Sequence, residues 1–191
     1  MRDLINLLLA ILVAVGVGFG LSYYALDRGV IVGARQVGPW VTWPSAGTPT
    51  PDPYTRAYLA RTPELVLNVA EGIAFTAHTD SAGEPFSGNC TYRLDGSTPQ
   101  AAFWTLYAIN AAGEIITPAD RATHLLSTQL VREDDNSAIV RVSAHMAPGN
   151  WLEIAPADTF SLVLTLYDAA EFAGLGKTDT IMPEITREAC Q

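Results

Sequence analysis

The chain has 191 residues, of which 20 are acidic and 11 are basic, so its formal net charge is −9. Only one of the basic residues is a lysine, Lys177. A nucleic-acid-binding protein needs clustered lysine and arginine to neutralise phosphates, and this composition excludes that class. It also argues against binding of anionic lipid head groups by the folded domain.

The first element in the chain is a long apolar segment. Leu4 to Leu26 is a run of 23 residues without a formal charge. As a helix rising about 1.5 Å per residue, the run is long enough for the roughly 30 Å hydrocarbon core of a bilayer. Tyr23 and Tyr24 fall at one end, where aromatic rings prefer the membrane interface. The segment therefore predicts a retained membrane anchor over residues 1–28. A cleaved signal peptide is the alternative, but the run is long and no clear small-x-small cleavage site follows it.

Small residues recur along this segment at helical spacing. One row consists of Ala10, Ala14, Gly18 and Ser22, and we expect a second row beside it to consist of Gly16 and Gly20. Small residues at this spacing let membrane helices approach closely, which predicts packing against other transmembrane helices. Because glycine and alanine are common in membrane helices, a helix that simply spans the bilayer is the alternative.

The two cysteines, Cys90 and Cys190, bear on the compartment. They show no Cys-x-x-Cys spacing and have no histidines at ligand spacing, so a metal site is not expected. A single disulfide in an exported domain is the preferred interpretation, and two unrelated buried thiols are the alternative. Charge does not orient the anchor, because Asp3 offsets Arg2. The cysteines therefore place the domain on the periplasmic side of a bacterial inner membrane, with a single membrane pass.

The region after the anchor divides into two parts. Residues 29–51 are rich in glycine and proline and are predicted to be a linker or extended segment. Asp52, as the N-cap, and Pro53 predict a short helix over residues 54–61 that ends before Pro63. Residues 52–191 are predicted to form the folded domain.

Short apolar runs separated by turn residues follow the helix. Candidate strands are Gly72–His78, Asn89–Leu94, Ala102–Ile109, Leu125–Val131, Ala138–His145 and Phe160–Tyr167. The last two alternate with a period of two, which is typical of a half-buried strand. Short helical turns are expected at residues 119–126 and 168–176, and the C-terminal segment is expected to be extended. Closely spaced strands without long helices predict a mainly β domain, a sandwich or a barrel.

Five short motifs carry a resemblance to a known family. In chain order they are Asp52-Pro53-Tyr54-x-Arg56-Ala57, Gly88-x-Cys90-x-Tyr92, Trp104-x-Leu106-Tyr107, Pro148-Gly149-Asn150-Trp151-Leu152 and Pro183-x-Ile185-x-Arg187. Together they resemble the bacterial family catalogued as domain of unknown function 1214, over roughly residues 40–190. The resemblance implies a β-sandwich of jelly-roll type and no established activity. We expect this chain to be a single-domain, membrane-anchored version.

No constellation of residues predicts catalysis. There is no Gly-x-Ser-x-Gly elbow and no Ser-x-x-Lys, so no catalytic residue, metal ligand or cofactor is expected. Ser143 and His145 lie two residues apart and are interpreted as the outward face of an edge strand. His78 and Asp80 are interpreted as part of a hydrogen-bonded turn.

A few residues are candidates for a binding loop. Asn150 and Trp151 follow a glycine in the most specific motif, and a structural corner is preferred over a binding loop there. Arg56 and Arg187 are each expected to pair with a carboxylate, and a carboxylate-binding site is the alternative.

Two hypotheses for the function follow. The first is a non-enzymatic, membrane-anchored accessory or structural subunit of a larger membrane protein complex, with the bilayer and other transmembrane helices as partners. The second is a small-molecule or carbohydrate binding module, or a weak hydrolase, that uses an open end of the sandwich. A pocket lined jointly by Trp40, Trp43, Trp151 and Arg187 would favour the second.

Overall fold

A long helix, α1, spans Arg2–Arg28 in the computed structural model, which describes residues 2–28, 33–62, 66–134, 137–168 and 181–190. All side chains from Arg2 to Tyr24 are exposed. In the described part of the chain, this is the one helix long and apolar enough to cross a membrane. An N-terminal signal sequence also meets these criteria of length and hydropathy, so the helix is a signal or an anchor.

Two short antiparallel strands lie within the segment that the sequence assigns to a linker. They are β1 (Arg35–Val37) and β2 (Trp40–Thr42), and β2 pairs in turn with β3 (Gly72–Ala77). Trp40 and Thr42 are fully buried. This corrects the predicted boundary at residue 52, since the sheet already includes residues 35–42. The two strands escape sequence analysis because each has only three residues.

The predicted short helix is present as α2 (Pro53–Leu59), and Asp52 is its N-cap. The Asp52 Oδ1 atom accepts hydrogen bonds from the backbone N–H groups of Tyr54 and Thr55 at 2.9 and 3.1 Å. Its Oδ2 atom accepts from the hydroxyl groups of Ser45 and Thr55. These hydrogen bonds, that of Ser45 first, hold the pKa of Asp52 well below its usual range.

We expect the Asp52→Asn variant to be less stable than the wild type at neutral pH, with a difference that shrinks in acid. The pKa of Asp52 is lower in the folded chain than its unfolded value of about 3.9, so the carboxylate stabilises the fold above that value. This stabilisation is lost as the pH falls through the folded pKa. Thermal denaturation of both proteins in a pH series measures it, and a difference in Tm that stays constant into strong acid would contradict the assignment.

The larger of two sheets has six strands in the order β1-β2-β3-β9-β5-β6. Its central strands are β9 (Ser161–Tyr167) and β5 (Phe103–Ile109), and β6 (Leu125–Leu126) is followed by a 3-10 turn at Ser127–Gln129. All strand pairs in this sheet are antiparallel.

The smaller sheet has four strands in the order β10-β4-β7-β8. They are β4 (Cys90–Asp95), β7 (Val140–Ser143), β8 (Asn150–Glu153) and β10 (Glu184–Cys190). The pairs of β4 with β10 and β7 are antiparallel, whereas β7 and β8 run parallel. Only residues 144–149 connect the parallel pair, although such connections usually need a dozen residues or more.

One hydrophobic core lies between the sheets. Aromatic side chains form its centre, where Phe86 stacks on Phe160 at 5.1 Å and meets the edge of Tyr92 at 4.9 Å. Alternate residues of the central strands complete it, among them Phe75, Leu106, Val142, Leu162, Leu164 and Leu166. The period-two pattern of the sequence therefore identifies the inward face correctly.

The mainly β, two-sheet sandwich is confirmed, and jelly-roll connectivity stays a prediction of the resemblance. Of the predicted strands, Leu125–Val131 shortens to β6, and β8 was not predicted. The helical turn predicted at residues 119–126 is wrong: the backbone there forms a non-helical turn in which Asp120 has a positive φ of 66°, and residues 125 and 126 belong to β6. The turn predicted at residues 168–176 lies outside the described residues from 169 onward.

Candidate functional site

The small residues of α1 face open space. A Cβ added to Gly16, Gly18 or Gly20 would meet no atom within 4 Å. The geometry corrects one expectation, however: residues two apart on a helix are separated by about 200°. Gly16 and Gly20 therefore lie on roughly the opposite side from the row that contains Gly18. The helix offers two small-residue faces to neighbours rather than one broad face.

The predicted disulfide is present between Cys90 and Cys190. Cys90 is the first residue of β4 and Cys190 is the last of β10, and the two stand directly opposite each other in register. Their Cα atoms are 4.0 Å apart. A disulfide of this kind is typical of a compartment outside the cytoplasm.

Asn150 is a structural residue, and its side-chain amide explains the short parallel connection. The Nδ2 atom donates to the carbonyls of Val131 and Ile139 at 2.8 and 2.9 Å, and Oδ1 accepts from the Val131 N–H at 2.8 Å. The residue before it, Gly149, has a positive φ of 80°, which glycine adopts without strain. Asn150 thus links the start of β8 by hydrogen bonds to the backbone at Val131 and at Ile139.

Trp151 also acts within the smaller sheet. Its indole Nε1 donates to the Ser143 carbonyl at 3.1 Å, at the end of the parallel neighbour β7. Next to it, Arg141 donates to the Pro148 carbonyl at 3.1 Å and pairs with Glu188. The motif therefore forms a corner, as preferred from the sequence, although Trp151 lies on β8 and is half-buried.

Arg187 pairs with a buried carboxylate, as expected. Its guanidinium lies 3.3 Å from Asp80, which is 4 % exposed, and also donates to the Pro85 carbonyl at 2.9 Å. The same group lies over the ring of Tyr92 at 5.5 Å. Asp80 also accepts from the backbone N–H groups of Ala82 and Glu84, so the predicted turn is present.

Arg56 differs from this expectation. Its side chain is exposed, and its Nε donates to the Pro51 carbonyl at 3.0 Å. It lies on α2, whereas Arg187 lies on β10 in the other sheet. The two arginines therefore do not form a common anion-binding site.

The tryptophans do not converge either. Trp40 is in the core, where its Nε1 donates to the Pro183 carbonyl at 2.8 Å. Trp43 stacks on Tyr58 at 4.4 Å, outside the larger sheet. Trp151 lies on the smaller sheet. The joint pocket that would favour a binding site at the open end is not formed.

A small cavity lies at one end of the sandwich, and we call it the end cavity. It has a volume of about 190 Å³ and is lined by core residues such as Trp104 and Leu164, with Arg132 and Ser97 among its polar residues. Arg132 donates to the Ser127 carbonyl at 3.2 Å. The volume is below the roughly 300–1,000 Å³ of typical ligand pockets, which argues against a drug-sized ligand in this cavity.

The larger concavity lies on the outer face of the six-stranded sheet, and we call it the outer groove. Its floor is formed by outward residues of the inner strands, such as Ala74, Tyr107 and Thr165, and its wall by residues within 43–59 and 66–69. Its volume is about 380 Å³. Sequence analysis missed it, although one signal was available, because Val163 is an apolar residue on the second face of its strand. In the structure Val163 is only 4 % exposed.

Residues of nucleophilic or ligating type do not assemble into a recognised centre. Ser143 is buried inside the smaller sheet, since β7 has neighbours on both sides, which corrects the expected edge position. His78 lies 2.7 Å from the Ser161 hydroxyl through its Nδ1 atom, and partial desolvation lowers its pKa. Within the described ranges, no group of three or more His, Cys, Asp or Glu residues is placed to hold a metal ion.

These features define a two-sheet β-sandwich protein with an apolar N-terminal helix and one disulfide. Residues 71–171, just over half of the chain, match the family described as Protein of unknown function (DUF1214). The chain belongs to this family, which confirms the resemblance seen in its motifs. No curated protein matches the chain.

Two solved structures are similar. The VPA0106 protein from Vibrio parahaemolyticus is 17% identical, with a TM-score of 0.57 over 71% of this chain and 35% of that one. A putative uncharacterized protein from Burkholderia cenocepacia is 20% identical, with a TM-score of 0.48 over 95% of this chain and 52% of that one. The chain thus spans between about a third and half of the length of these proteins. The first similarity supports the sandwich fold.

Proposed function

We propose that the protein is a non-enzymatic accessory or structural subunit of a larger membrane protein complex. In this proposal α1 is retained as a single-pass anchor in a bacterial inner membrane, and the sandwich lies in the periplasm. The observation that carries it is the exposure of α1: from Arg2 to Tyr24, the helix is not buried anywhere in the chain. An apolar surface of this size needs a bilayer or other helices around it.

Two further features support this proposal. The Cys90–Cys190 disulfide suits an oxidising compartment. The open glycines of α1 suit close packing, because neighbouring helices can approach where a side chain is missing. The partners are therefore the lipid bilayer and other transmembrane helices.

The second hypothesis, a binding module or weak hydrolase at the open end of the sandwich, is less well supported. The end cavity is small, and the aromatic and arginine side chains expected there lie in three separate regions. The contacts of Asn150, Trp151 and Arg187 are with the chain's own backbone, carboxylates and rings. These groups are engaged in the fold rather than directed at a ligand.

We expect the Gly18→Ile variant to lose its membrane partner, whereas Leu12→Ile keeps it. The isoleucine at position 18 would hold the helices apart on the row that also contains Ala10 and Ala14, while position 12 holds a leucine that belongs to neither row of small residues. Purification of the full chain in a mild detergent, followed by identification of co-purifying proteins, measures the effect. A wild-type chain that always purifies alone would end the proposal, and so would a mature protein that lacks residues 1–28.

A further inference from the structure

We propose that the outer groove binds a hydrocarbon chain with a polar end, as found in a phospholipid or a free fatty acid. The groove is larger than the end cavity, and its volume of about 380 Å³ falls in the range of ligand pockets, roughly 300–1,000 Å³.

The lining of the groove argues against a charged group within it. None of the described residues that line it is charged, and aliphatic and aromatic side chains predominate. Its floor adds hydroxyl-bearing residues, Thr76 and Thr165. A charge placed there would lose its hydration without gaining a partner, which costs several kcal/mol or more. An uncharged hydrocarbon gains from the same surroundings.

The size of the groove fits part of an acyl chain. Along the paired strands it extends from the Gly72–Tyr167 pair to the Thr76–Val163 pair, four residues or about 13 Å away. Across the sheet it reaches from Val41 on β2 to Tyr107 on β5, three strand spacings or about 14 Å. The floor is therefore about as wide as it is long.

One end of the groove is polar. His78 and Ser161 form their hydrogen bond just beyond the Thr76–Val163 pair in the register of β3 and β9. Residues 76 and 78, like 161 and 163, project from the same face of their strands. A ligand with its chain along the floor can therefore place a hydrogen-bonding group next to these two side chains.

The wall of the groove is built into the fold. Trp43 stacks on Tyr58, and the Val69 N–H donates to the Gly47 carbonyl at 3.3 Å. A Cβ at Gly47 would collide with the Leu67 carbonyl, so the two stretches of the wall are in close contact. Asp52 fixes the start of the helix that carries Tyr58. The groove is therefore preformed, so that little conformational entropy of the protein is lost when a ligand binds.

The sandwich follows α1 closely in sequence, and the bilayer of the proposed function contains such chains. Six residues lie between the last residue of α1, Arg28, and the first of β1, Arg35, so these two residues are at most about 25 Å apart. This step, unlike the preceding ones, rests on the proposed function. With α1 retained as a membrane anchor, the groove lies within reach of a bilayer surface.

Photo-crosslinking tests the proposal. The full chain is reconstituted in phosphatidylcholine vesicles that contain a diazirine-labelled acyl chain, attached to phosphatidylcholine in one arm and added as free fatty acid in the other. After irradiation, labelled peptides are mapped by mass spectrometry. We expect labels on residues 72–76 and 161–167, and a reduction by at least about tenfold in Ala74→Trp, which fills the exposed floor of the groove.

Two more variants keep the test decisive. Thr186→Trp places the same side chain at an exposed position of the other sheet and should label like the wild type. If Ala74→Trp does not fold, Thr76→Arg introduces a charge into the groove and should give the same loss. Labels confined to α1, or unchanged in the groove variants, would overturn the proposal.

The two arms identify the ligand. Groove labelling in the phosphatidylcholine arm indicates a phospholipid, and groove labelling in the other arm indicates a free fatty acid. Groove labelling by the free fatty acid without any labelling of α1 would refute the membrane anchor and leave the groove proposal standing. Labelling of α1 without the groove would do the reverse.

Discussion

Replacing both cysteines, by Cys90→Ser and Cys190→Ser, is expected to lower the free energy of unfolding by about 4 to 5 kcal/mol. The bond joins residues 100 positions apart in sequence. In the chain-entropy model, a closed loop of about 100 residues restricts the unfolded chain by this amount. Since whole domains are stable by only about 5–15 kcal/mol, the variant would be close to unfolding at physiological temperature.

The position of the bond adds to this effect. β10 is an edge strand whose only neighbour in the smaller sheet is β4, and Cys190 is its last residue. At the other end of the strand, Ile185 is buried in the core. Without the disulfide, we expect the end of β10 near Cys190 to separate from β4 first, while Ile185 holds the start of the strand.

Chemical denaturation of the full chain, with and without a thiol reductant, measures the loss. The reductant should lower the unfolding midpoint of the wild type and leave that of the double serine variant unchanged. Equal midpoints for wild type and variant would show that the bond does not stabilise this fold. Hydrogen exchange at the backbone of residues 186–190 locates the predicted fraying.

The strands that the sequence predicts correctly are those with long period-two patterns. Phe160, Leu162, Leu164 and Leu166 alternate with more polar residues, and the structure places the first set in the core. Such a pattern depends only on neighbours in sequence, because one face of the strand is buried and the other is less so. β4 follows the same rule, since its residues alternate between buried and half-buried.

The strands that it misses depend on contacts between distant residues. β1 and β2 have three residues each, too few for a periodic signal, and they exist because β2 pairs with β3. β8 follows the turn at Gly149, and the amide of Asn150 holds it beside β7 through Ile139. Neither the pairing of β2 with β3 nor the hydrogen bond of Asn150 can be predicted from local sequence, because each joins residues that are distant along the chain.

The candidate site was predictable only in part. Cys90, Cys190 and the pairing of Arg187 with a carboxylate follow from composition, because a domain with two cysteines and few cations has limited choices. The outer groove was missed because its floor is the second face of strands whose first face is the core. The burial of Val163 and Thr165 shows that another segment covers this face, and the covering wall includes Trp43, Tyr58 and Leu67.

Truncating one tryptophan to alanine, in the Trp40→Ala variant, is expected to destabilise the protein by about 3–5 kcal/mol, the usual cost of truncating a large buried aromatic residue. Trp40 is 0 % exposed, and its indole donates to the Pro183 carbonyl, just ahead of β10 in the opposite sheet. It therefore joins the two sheets at the place where the sequence predicts a linker. Trp40→Phe keeps most of the apolar contact and should lose only about 0.5–1.5 kcal/mol for the hydrogen bond.

Trp43→Ala is the matched control, because Trp43 is half-buried, stacks on Tyr58 and lines the outer groove rather than the core. Its loss should cost clearly less stability than the loss of Trp40. Denaturant unfolding of the three variants gives the comparison. If Trp40→Ala and Trp43→Ala cost equally little, residues 35–42 would not belong to the core, and the sandwich would begin at residue 52 as the composition alone suggests. A large cost at position 40 alone would show that the core already includes β2, well before residue 52.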